Sequence, residues 1–274
     1  MQGCPCHLKK IYFLQLIMTR IFLPPEQLTS DTITITGDNA RHLALVLRIK
    51  PGGQVVVFDG RGYKYECIVE AVHKKEVVAK LINKSPYCVE SPLSVTLAQG
   101  LPRGEKMDLI VQKATELGVR RIIPLVTERS QVRHTHKRDR WRKIARSASE
   151  QSGRDRIPDI EHPVELKEYL EQTITALAKG YIEDIKGVRL DPEACIILSE
   201  GSRERHLKDV LRDFTRDHHF TVLVGPEGGF AGEEIHAAVE KGFIEVSLGP
   251  RILRTETAPL AALSIIQYEL GDMG

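Results

Sequence analysis

A glycine-rich turn after an apolar, strand-like segment is the part of this sequence best suited to hold a small ligand. The predicted strand is Val222-Leu223-Val224, and the turn is Gly225-Pro226-Glu227-Gly228-Gly229-Phe230. In an open α/β sheet, ligands bind at the carboxyl ends of strands, where glycine lets the backbone approach them closely. A loop that cradles phosphate avoids a carboxylate, so Glu227 favours a ligand that is cationic or carries hydroxyl groups. The alternative is a tight strand-to-helix turn that binds nothing.

A second turn of the same kind lies near the end of the sequence, from Leu248 to Ala258. A predicted strand again ends in Gly-Pro, and polar residues lead into an apolar helix for which Thr257 is the expected N-cap. Arg254 and Glu256 lie in this loop, where they could position a substrate and handle its proton. The alternative is an exposed ion pair between the two, which would add little to stability.

Residues 129–156 are rich in arginine, lysine and histidine, although the whole chain has a formal net charge of only +2. Arg138, Arg142 and Arg146 recur at every fourth position, so they share one face of a predicted helix. Like charges at that spacing repel, which favours an anionic partner such as RNA; a simply solvated face is the alternative. The residues predicted to contact RNA are Arg20, Arg41, Arg48, Arg103, Lys106, Arg129, Arg138, Arg142, Arg146 and Arg154.

Two kinds of hydrophobic pattern divide the chain. From Ile21 to about Ser91, short alternating segments separated by glycine turns predict a small β-barrel, interrupted by one helical stretch, Asn39 to Leu47. After Pro92, strands alternate with amphipathic helices, which predicts a parallel sheet covered on both faces. The two ligand loops would then lie at the carboxyl ends of strands in this second part.

Composition excludes several classes of protein. Five scattered cysteines argue against a disulfide framework and suit a reducing cytosol. Cys4, Cys6 and His7 lack a second pair of ligands, so we predict no metal. The apolar run Ile11 to Ile17 is too short to span a bilayer and has no cleavage site. Residues 1–17 are therefore interpreted as an N-terminal extension, with Met18 opening the domain of a cytoplasmic protein that contacts no membrane.

These motifs resemble the RsmE family of the SPOUT superfamily, whose members methylate N3 of one uridine in small-subunit (16S) ribosomal RNA. The similarity is carried by Gly225 to Phe230 and by Leu248-Gly249-x-Arg251-Ile252-Leu253-Arg254-x-Glu256-Thr257-Ala258. It extends over nearly everything from Met18 onward, including His42-Leu43 to Arg48 and Lys113 to Val119.

The resemblance implies a PUA-like β-barrel over residues 18–90 and a SPOUT methyltransferase domain over residues 91–274, with a trefoil knot. It also implies a homodimer and S-adenosylmethionine as the cofactor. Three loops would hold this cofactor, through Leu198, Ser199, Glu200, Gly201, Gly225, Pro226, Glu227, Gly228, Gly229, Leu248, Gly249, Ile252, Leu253 and Ala258.

The chemistry implied is direct transfer of a methyl group to a pyrimidine nitrogen that must lose its proton. Arg254 would bind substrate and stabilise the developing negative charge. Glu256 or Glu227 would accept the proton, although Glu256 could instead orient Arg254. Two other readings stay open: a SPOUT methyltransferase acting on another RNA base or a ribose 2′-hydroxyl, and a non-catalytic RNA-binding assembly factor. A nucleotide-binding enzyme is disfavoured because no phosphate-loop Lys-Ser/Thr is present.

Overall fold

The computed structural model describes residues 19–178, 182–183, 189–190, 193–201, 205–216 and 219–274. The predicted extension 1–17, with Cys4, Cys6 and His7, lies outside these residues, as does Met18. The chain divides into two compact units. The first contains the described residues up to Val89 together with Glu150–Arg156, and the second contains the rest.

The first unit is a curled, five-stranded half-barrel. Its strands are β1 (Thr19–Phe22), β2 (Thr32–Thr36), β3 (Gln54–Phe58), β4 (Tyr63–Val72) and β5 (Glu76–Pro86), in the order β1-β3-β4-β5-β2. In β2 the isoleucines are buried and the threonines exposed, as the alternating sequence predicts. The predicted helical stretch is α1 (Gly37–Arg41) followed by a π-helical turn, His42–Val46. A 3₁₀ turn occupies Pro25–Gln27.

Glu150–Arg156 belongs to this unit although the sequence placed it in the second domain. The Glu150 carboxylate accepts a hydrogen bond from the Phe22 N–H at 3.0 Å. The Arg20 guanidinium donates to the Arg154 carbonyl at 2.9 Å and lies over the rings of Phe58 and Tyr87. These contacts attach the segment to the amino-terminal sheet.

The second unit is built on a parallel sheet. Its strands are β6 (Ser94–Gly100), β7 (Arg121–Val126), β8 (Asp159–Ile160), β9 (Val164–Glu165), the separate antiparallel pair β10 (Ile182–Glu183) and β11 (Arg189–Leu190), then β12 (Glu193–Leu198), β13 (His219–Val224) and β14 (Ile244–Val246). The parallel order is β14-β12-β13-β6-β7-β8, and β9 also pairs with β7. The helices that start in this unit are α2 (Lys106–Glu116), α3 (Arg138–Ser152), α4 (Leu166–Ala178), α5 (Leu207–Val210), α6 (Gly232–Glu240) and α7 (Ala258–Glu269), with a 3₁₀ turn at Leu211–Asp213.

Apolar side chains cover both faces of this sheet, as expected for parallel strands. In β13, Phe220 and Val222 pack into one hydrophobic cluster, whereas Leu223 packs into another. Helix α2 buries Met107, Ile110, Val111, Ala114 and Thr115. Leu117 is its C-cap, and Gly118 follows with φ +83°, a conformation that favours glycine. The strand and helix alternation predicted from the sequence is therefore confirmed, while the trefoil knot stays a prediction.

A buried histidine stabilises the amino-terminal edge of the sheet. His219 opens β13, and its two ring nitrogens lie 3.0 Å from the Thr96 hydroxyl and 2.9 Å from the Ser94 hydroxyl. Burial, followed by the charges of Arg121 and Arg120, lowers the pKa of His219 to about 4. The imidazole is therefore neutral near pH 7. Among the described residues, no helix is both long and apolar enough to cross a membrane.

Candidate functional site

Three loops meet at one edge of the parallel sheet. Strands β14, β12 and β13 are neighbours and run in the same direction, so the loops that follow them share the carboxyl edge. These loops are Leu198–Gly201, residues 225–229 and residues 248–253. They enclose a cavity of about 520 Å³, a volume typical of small-molecule sites.

All fourteen residues predicted to hold the cofactor line this cavity. Arg254 lines it as well, whereas Glu256 does not. Lys106 and Arg129, which were predicted to contact RNA, are part of the lining. The sequence interpretation missed further lining residues, which are Val224, Phe230, Ile235, Val246, Arg251 and Thr255.

Glycines bring the backbone close to the cavity. A Cβ atom on Gly225 would lie 2.9 Å from the carbonyl carbon of Gly229, so the loop has no room for a side chain there. Gly229 and Gly249 have φ of +66° and +112°, in the range that favours glycine. The cavity walls are consequently backbone at these points, with peptide groups available to an adenosine and its amino-acid extension.

Gln99 and Thr255 hold the loops together and were missed by the sequence interpretation. Gln99, fully buried near the end of β6, donates from its amide to the carbonyl of Gly225 at 3.2 Å and to the Thr255 hydroxyl at 3.2 Å. Thr255 donates to the same Gly225 carbonyl at 2.9 Å. The sequence signal for Gln99 is weak, because β6 also contains the polar residues Ser94 and Thr96.

Glu227 does not present an uncompensated charge to the cavity. Its carboxylate accepts a hydrogen bond from the Lys106 ammonium at 2.8 Å and one from the Arg103 N–H at 3.1 Å. Burial raises the pKa of Glu227, but these hydrogen bonds outweigh it and leave the pKa below its ordinary value. The hydrogen bond from Lys106 to Glu227 raises the lysine pKa. Glu227 lines the cavity with its charge paired to Lys106, and its contact with a ligand stays a prediction.

Arg254 lies at the rim of the cavity with Glu256 behind it. The Arg254 side chain is 84% exposed and Glu256 is 16% exposed, with 3.9 Å between guanidinium and carboxylate. The Arg254 carbonyl accepts hydrogen bonds from the N–H groups of Thr257 and Ala258, at 2.8 and 2.9 Å. Thr257 is the N-cap of α7, as predicted, although its side chain makes no capping hydrogen bond. The backbone of Arg254 satisfies these amides at the start of α7 instead.

The cations predicted to contact RNA differ in exposure. In the first unit Arg41 and Arg48 are exposed, while Arg20 is half-buried in the ring contacts described above. In the second unit Arg103, Arg129 and Arg142 are exposed. Arg129 donates to the Gly228 carbonyl at 2.8 Å, and the partly buried Arg138 donates to the Ile160 carbonyl at 2.8 Å. Arg146 is partly buried.

Arg154 does not belong in the set of predicted RNA contacts. It is only 6% exposed, because Glu150–Arg156 packs on the first sheet. A buried guanidinium cannot reach a phosphate from solvent, so Arg154 is withdrawn as an RNA contact. Within the described part of the chain, no group of three or more His, Cys, Asp or Glu side chains could hold a metal ion.

Two family models match the chain. An RNA methyltransferase domain matches residues 89–267, and an RNA methyltransferase PUA domain matches residues 35–82. Ribosomal RNA small subunit methyltransferase E of Bacillus subtilis is 32% identical over 94% of this chain and 96% of its own length. The chain belongs to the ribosomal RNA small subunit methyltransferase E family. The Synechocystis member is 32% identical over 90% of this chain and 76% of its own length.

Solved structures of similar proteins support the same assignment. The Neisseria gonorrhoeae family member, bound to S-adenosyl methionine, is 34% identical with a TM-score of 0.80, covering 94% of this chain and all of that one. A Legionella pneumophila methyltransferase with bound SAM is 34% identical with a TM-score of 0.79, covering 93% of this chain and 99% of that one. The predicted family is thereby confirmed, as is the SPOUT-type sheet preceded by a PUA-like unit.

Proposed function

We propose that this chain transfers a methyl group from S-adenosylmethionine to N3 of a uridine in small-subunit ribosomal RNA. The observation that carries the proposal is the glycine-walled cavity at the carboxyl edge of β12, β13 and β14, with Arg254 at its rim. The family membership supports the same reaction, because the matched relatives are named as small-subunit ribosomal RNA methyltransferases.

The residues of the cavity fit the donor. Its volume of about 520 Å³ suits a nucleoside with an amino-acid chain. Backbone groups of the loops at Leu198–Gly201, 225–229 and 248–253 would hold the adenine and the amino acid. When bound, S-adenosylmethionine supplies an activated methyl group on a positively charged sulfur.

Two side chains would assist the acceptor. The N3–methyl bond forms as the sulfur–methyl bond breaks, and the N3 proton must leave. Arg254 would hold a uracil oxygen or a phosphate and stabilise the negative charge that develops on the base. Glu256 would accept the proton or orient Arg254. Glu227 is less suited to accept it, because its oxygens already accept hydrogen bonds from Lys106 and from the Arg103 N–H and its pKa is lowered.

The RNA would contact exposed arginines of both units through its phosphates. We assign this role to the exposed residues Arg41, Arg48, Arg103, Arg129 and Arg142. The partly buried Arg20, Lys106, Arg138 and Arg146 stay predicted contacts. We keep the predicted domain bounds, 18–90 and 91–274. We also keep the predicted cytoplasmic location.

We also propose that the protein is a homodimer. The family resemblance implies this state, and Ile252, which lines the cavity and is 76% exposed, is the apolar residue chosen to test it. Sedimentation equilibrium should give the mass of two chains at micromolar concentration. Ile252→Asp should shift the distribution towards one chain, and a wild-type protein that sediments as a monomer would contradict the proposal.

Small-subunit particles from a strain lacking the gene provide the acceptor for the main test. Incubation with the purified protein and labelled donor, followed by mass-spectrometric mapping, should place one methyl group on N3 of a single uridine. A methyl group found on another base or on a ribose 2′-hydroxyl would show that uridine N3 is not the acceptor. If calorimetric titration detects no binding of S-adenosylmethionine, a non-catalytic assembly factor becomes the better reading.

A further inference from the structure

Lys106 joins two acidic residues at the cavity rim through one ammonium group. It is the first residue of α2, and its Nζ lies 2.8 Å from Glu227 Oε1 and 3.6 Å from Glu256 Oε2. The Arg103 N–H adds hydrogen bonds to both oxygens of Glu227, at 3.1 and 3.4 Å. The negative charge of Glu227 is therefore compensated by groups of the same chain.

The remaining charges of the cavity do not restore an attraction for cations. Four cationic and two acidic side chains line it, namely Lys106, Arg129, Arg251 and Arg254 against Glu200 and Glu227. Charges act over several ångströms in a cleft whose walls have a low dielectric constant. Because Coulomb energy falls with distance, the attraction of Glu227 for a cationic ligand depends most on the charge beside it, and the Lys106 ammonium lies 2.8 Å from its carboxylate.

The charges of the cavity lining determine how strongly the site distinguishes the methyl donor from its product. S-adenosylmethionine and S-adenosylhomocysteine share the adenosine and the amino-acid part, and they differ by one methyl group and one positive charge. We propose that Lys106 is a specificity-determining residue: by neutralising Glu227, it removes the preference that this carboxylate would give the donor over the product. The inference rests on the donor-binding part of the proposed function and is independent of which RNA base is methylated.

Calorimetric titration of both molecules into four proteins tests the inference without any RNA. The proteins are wild type, Lys106→Met, the double variant Lys106→Met/Glu227→Gln, and Lys113→Met. Lys113 is the matched control, because it lies on the same helix and forms an ion pair with Glu116 at 2.9 Å, outside the cavity lining. The quantity measured is the Kd of the product divided by the Kd of the donor. A purely structural defect weakens binding of both molecules and leaves this ratio unchanged.

Wild type and Lys113→Met should bind the two molecules within about threefold of each other, a small difference in binding free energy. Lys106→Met should raise the ratio by about fivefold or more, because Glu227 then bears an uncompensated charge. The double variant should return the ratio to the wild-type value. A wild-type ratio above about ten, an unchanged ratio in Lys106→Met, or no return in the double variant overturns the inference. If wild type binds neither molecule, both this inference and the proposed donor site are wrong. If wild type binds the donor but does not methylate uridine N3, only the proposed acceptor is wrong.

Discussion

The charge of Arg254 contributes little to the stability of the fold. Its side chain is 84% exposed and lies 3.9 Å from the Glu256 carboxylate, a geometry that contributes little to folding. Its backbone, by contrast, is fixed by the amides at the start of α7. A positioned guanidinium at a cavity rim acts most strongly once a substrate excludes water around it, since the local dielectric constant then falls.

Arg254→Ala should separate donor binding from methyl transfer. Because the guanidinium lies at the rim, the Kd for S-adenosylmethionine should change by no more than about threefold. The single-turnover rate of methyl transfer should fall by about 100-fold or more, as for the loss of a group that stabilises transition-state charge. Arg254→Lys, which keeps the charge but loses the planar fork, should give an intermediate rate. Turnover near wild type in Arg254→Ala would refute the role assigned here.

His219 should make the stability of the fold sensitive to acid. Its pKa is about 4 in the folded protein and ordinarily 6.5, so the unfolded chain binds a proton at a pH where the folded chain does not. Stability is therefore retained above pH 6.5 and lost as the pH falls towards 4. Between pH 7 and pH 5, wild type should lose about 2 kcal/mol more of its unfolding free energy than His219→Gln.

Urea denaturation at both pH values measures this difference. His73→Gln is the control, because His73 is an exposed histidine in the first unit. That variant should follow the wild-type dependence on pH. Equal pH dependence in wild type and His219→Gln would show that burial of His219 does not govern the acid response.

At the scale of elements, the site follows from three parallel strands that end side by side. The sequence itself predicted two of the three loops, because an apolar strand followed by glycine and proline recurs at Gly225 and Gly249. The third loop, Leu198–Gly201, came only from the family resemblance. The sequence did not predict Gln99 or Thr255, because their hydrogen bonds join distant parts of the chain: the Gln99 bonds to Gly225 and Thr255 span more than a hundred positions, and the Thr255 bond to Gly225 spans 30. Nor did it predict the burial of Arg154, since a local count of charges cannot say which sheet the segment packs on.

Gly225→Ala should damage the cofactor loop selectively. The added Cβ would lie 2.9 Å from the backbone of Gly229, so the turn must open and the cavity change shape. We expect the Kd for S-adenosylmethionine to rise about tenfold or more and the unfolding free energy to fall by about 1–3 kcal/mol, as for overpacked sites. Gly232→Ala is the matched control, because a Cβ atom added at Gly232 would meet no other atom within 4 Å. Calorimetry and urea denaturation of both variants distinguish loop damage from a general effect of alanine.

At the scale of the whole molecule, the chain combines a modest net charge of +2 with arginines exposed in both units. Long-range attraction of RNA to the protein as a whole is therefore weak, and binding depends on a limited number of phosphate contacts. Arg41 and Arg48 flank an exposed apolar segment in the first unit, with Leu45 66% and Val46 68% exposed. Arg142 lies exposed on α3 in the second unit.

If both units contact RNA, removing one arginine from either unit should change the affinity for RNA and its salt dependence in the same way. Arg48→Gln and Arg142→Gln should each weaken binding to small-subunit particles and reduce the slope of log K against log salt concentration by about 1. The Kd for S-adenosylmethionine should stay at the wild-type value, since neither residue lines the cavity. Arg212→Gln is the control, because Arg212 is an arginine with 76% of its side chain exposed that was not assigned to RNA. Filter binding over a range of salt concentrations measures all three variants. A reduced slope in Arg142→Gln alone would confine the RNA surface to the second unit, because the phosphate contact assigned to Arg48 would then be absent.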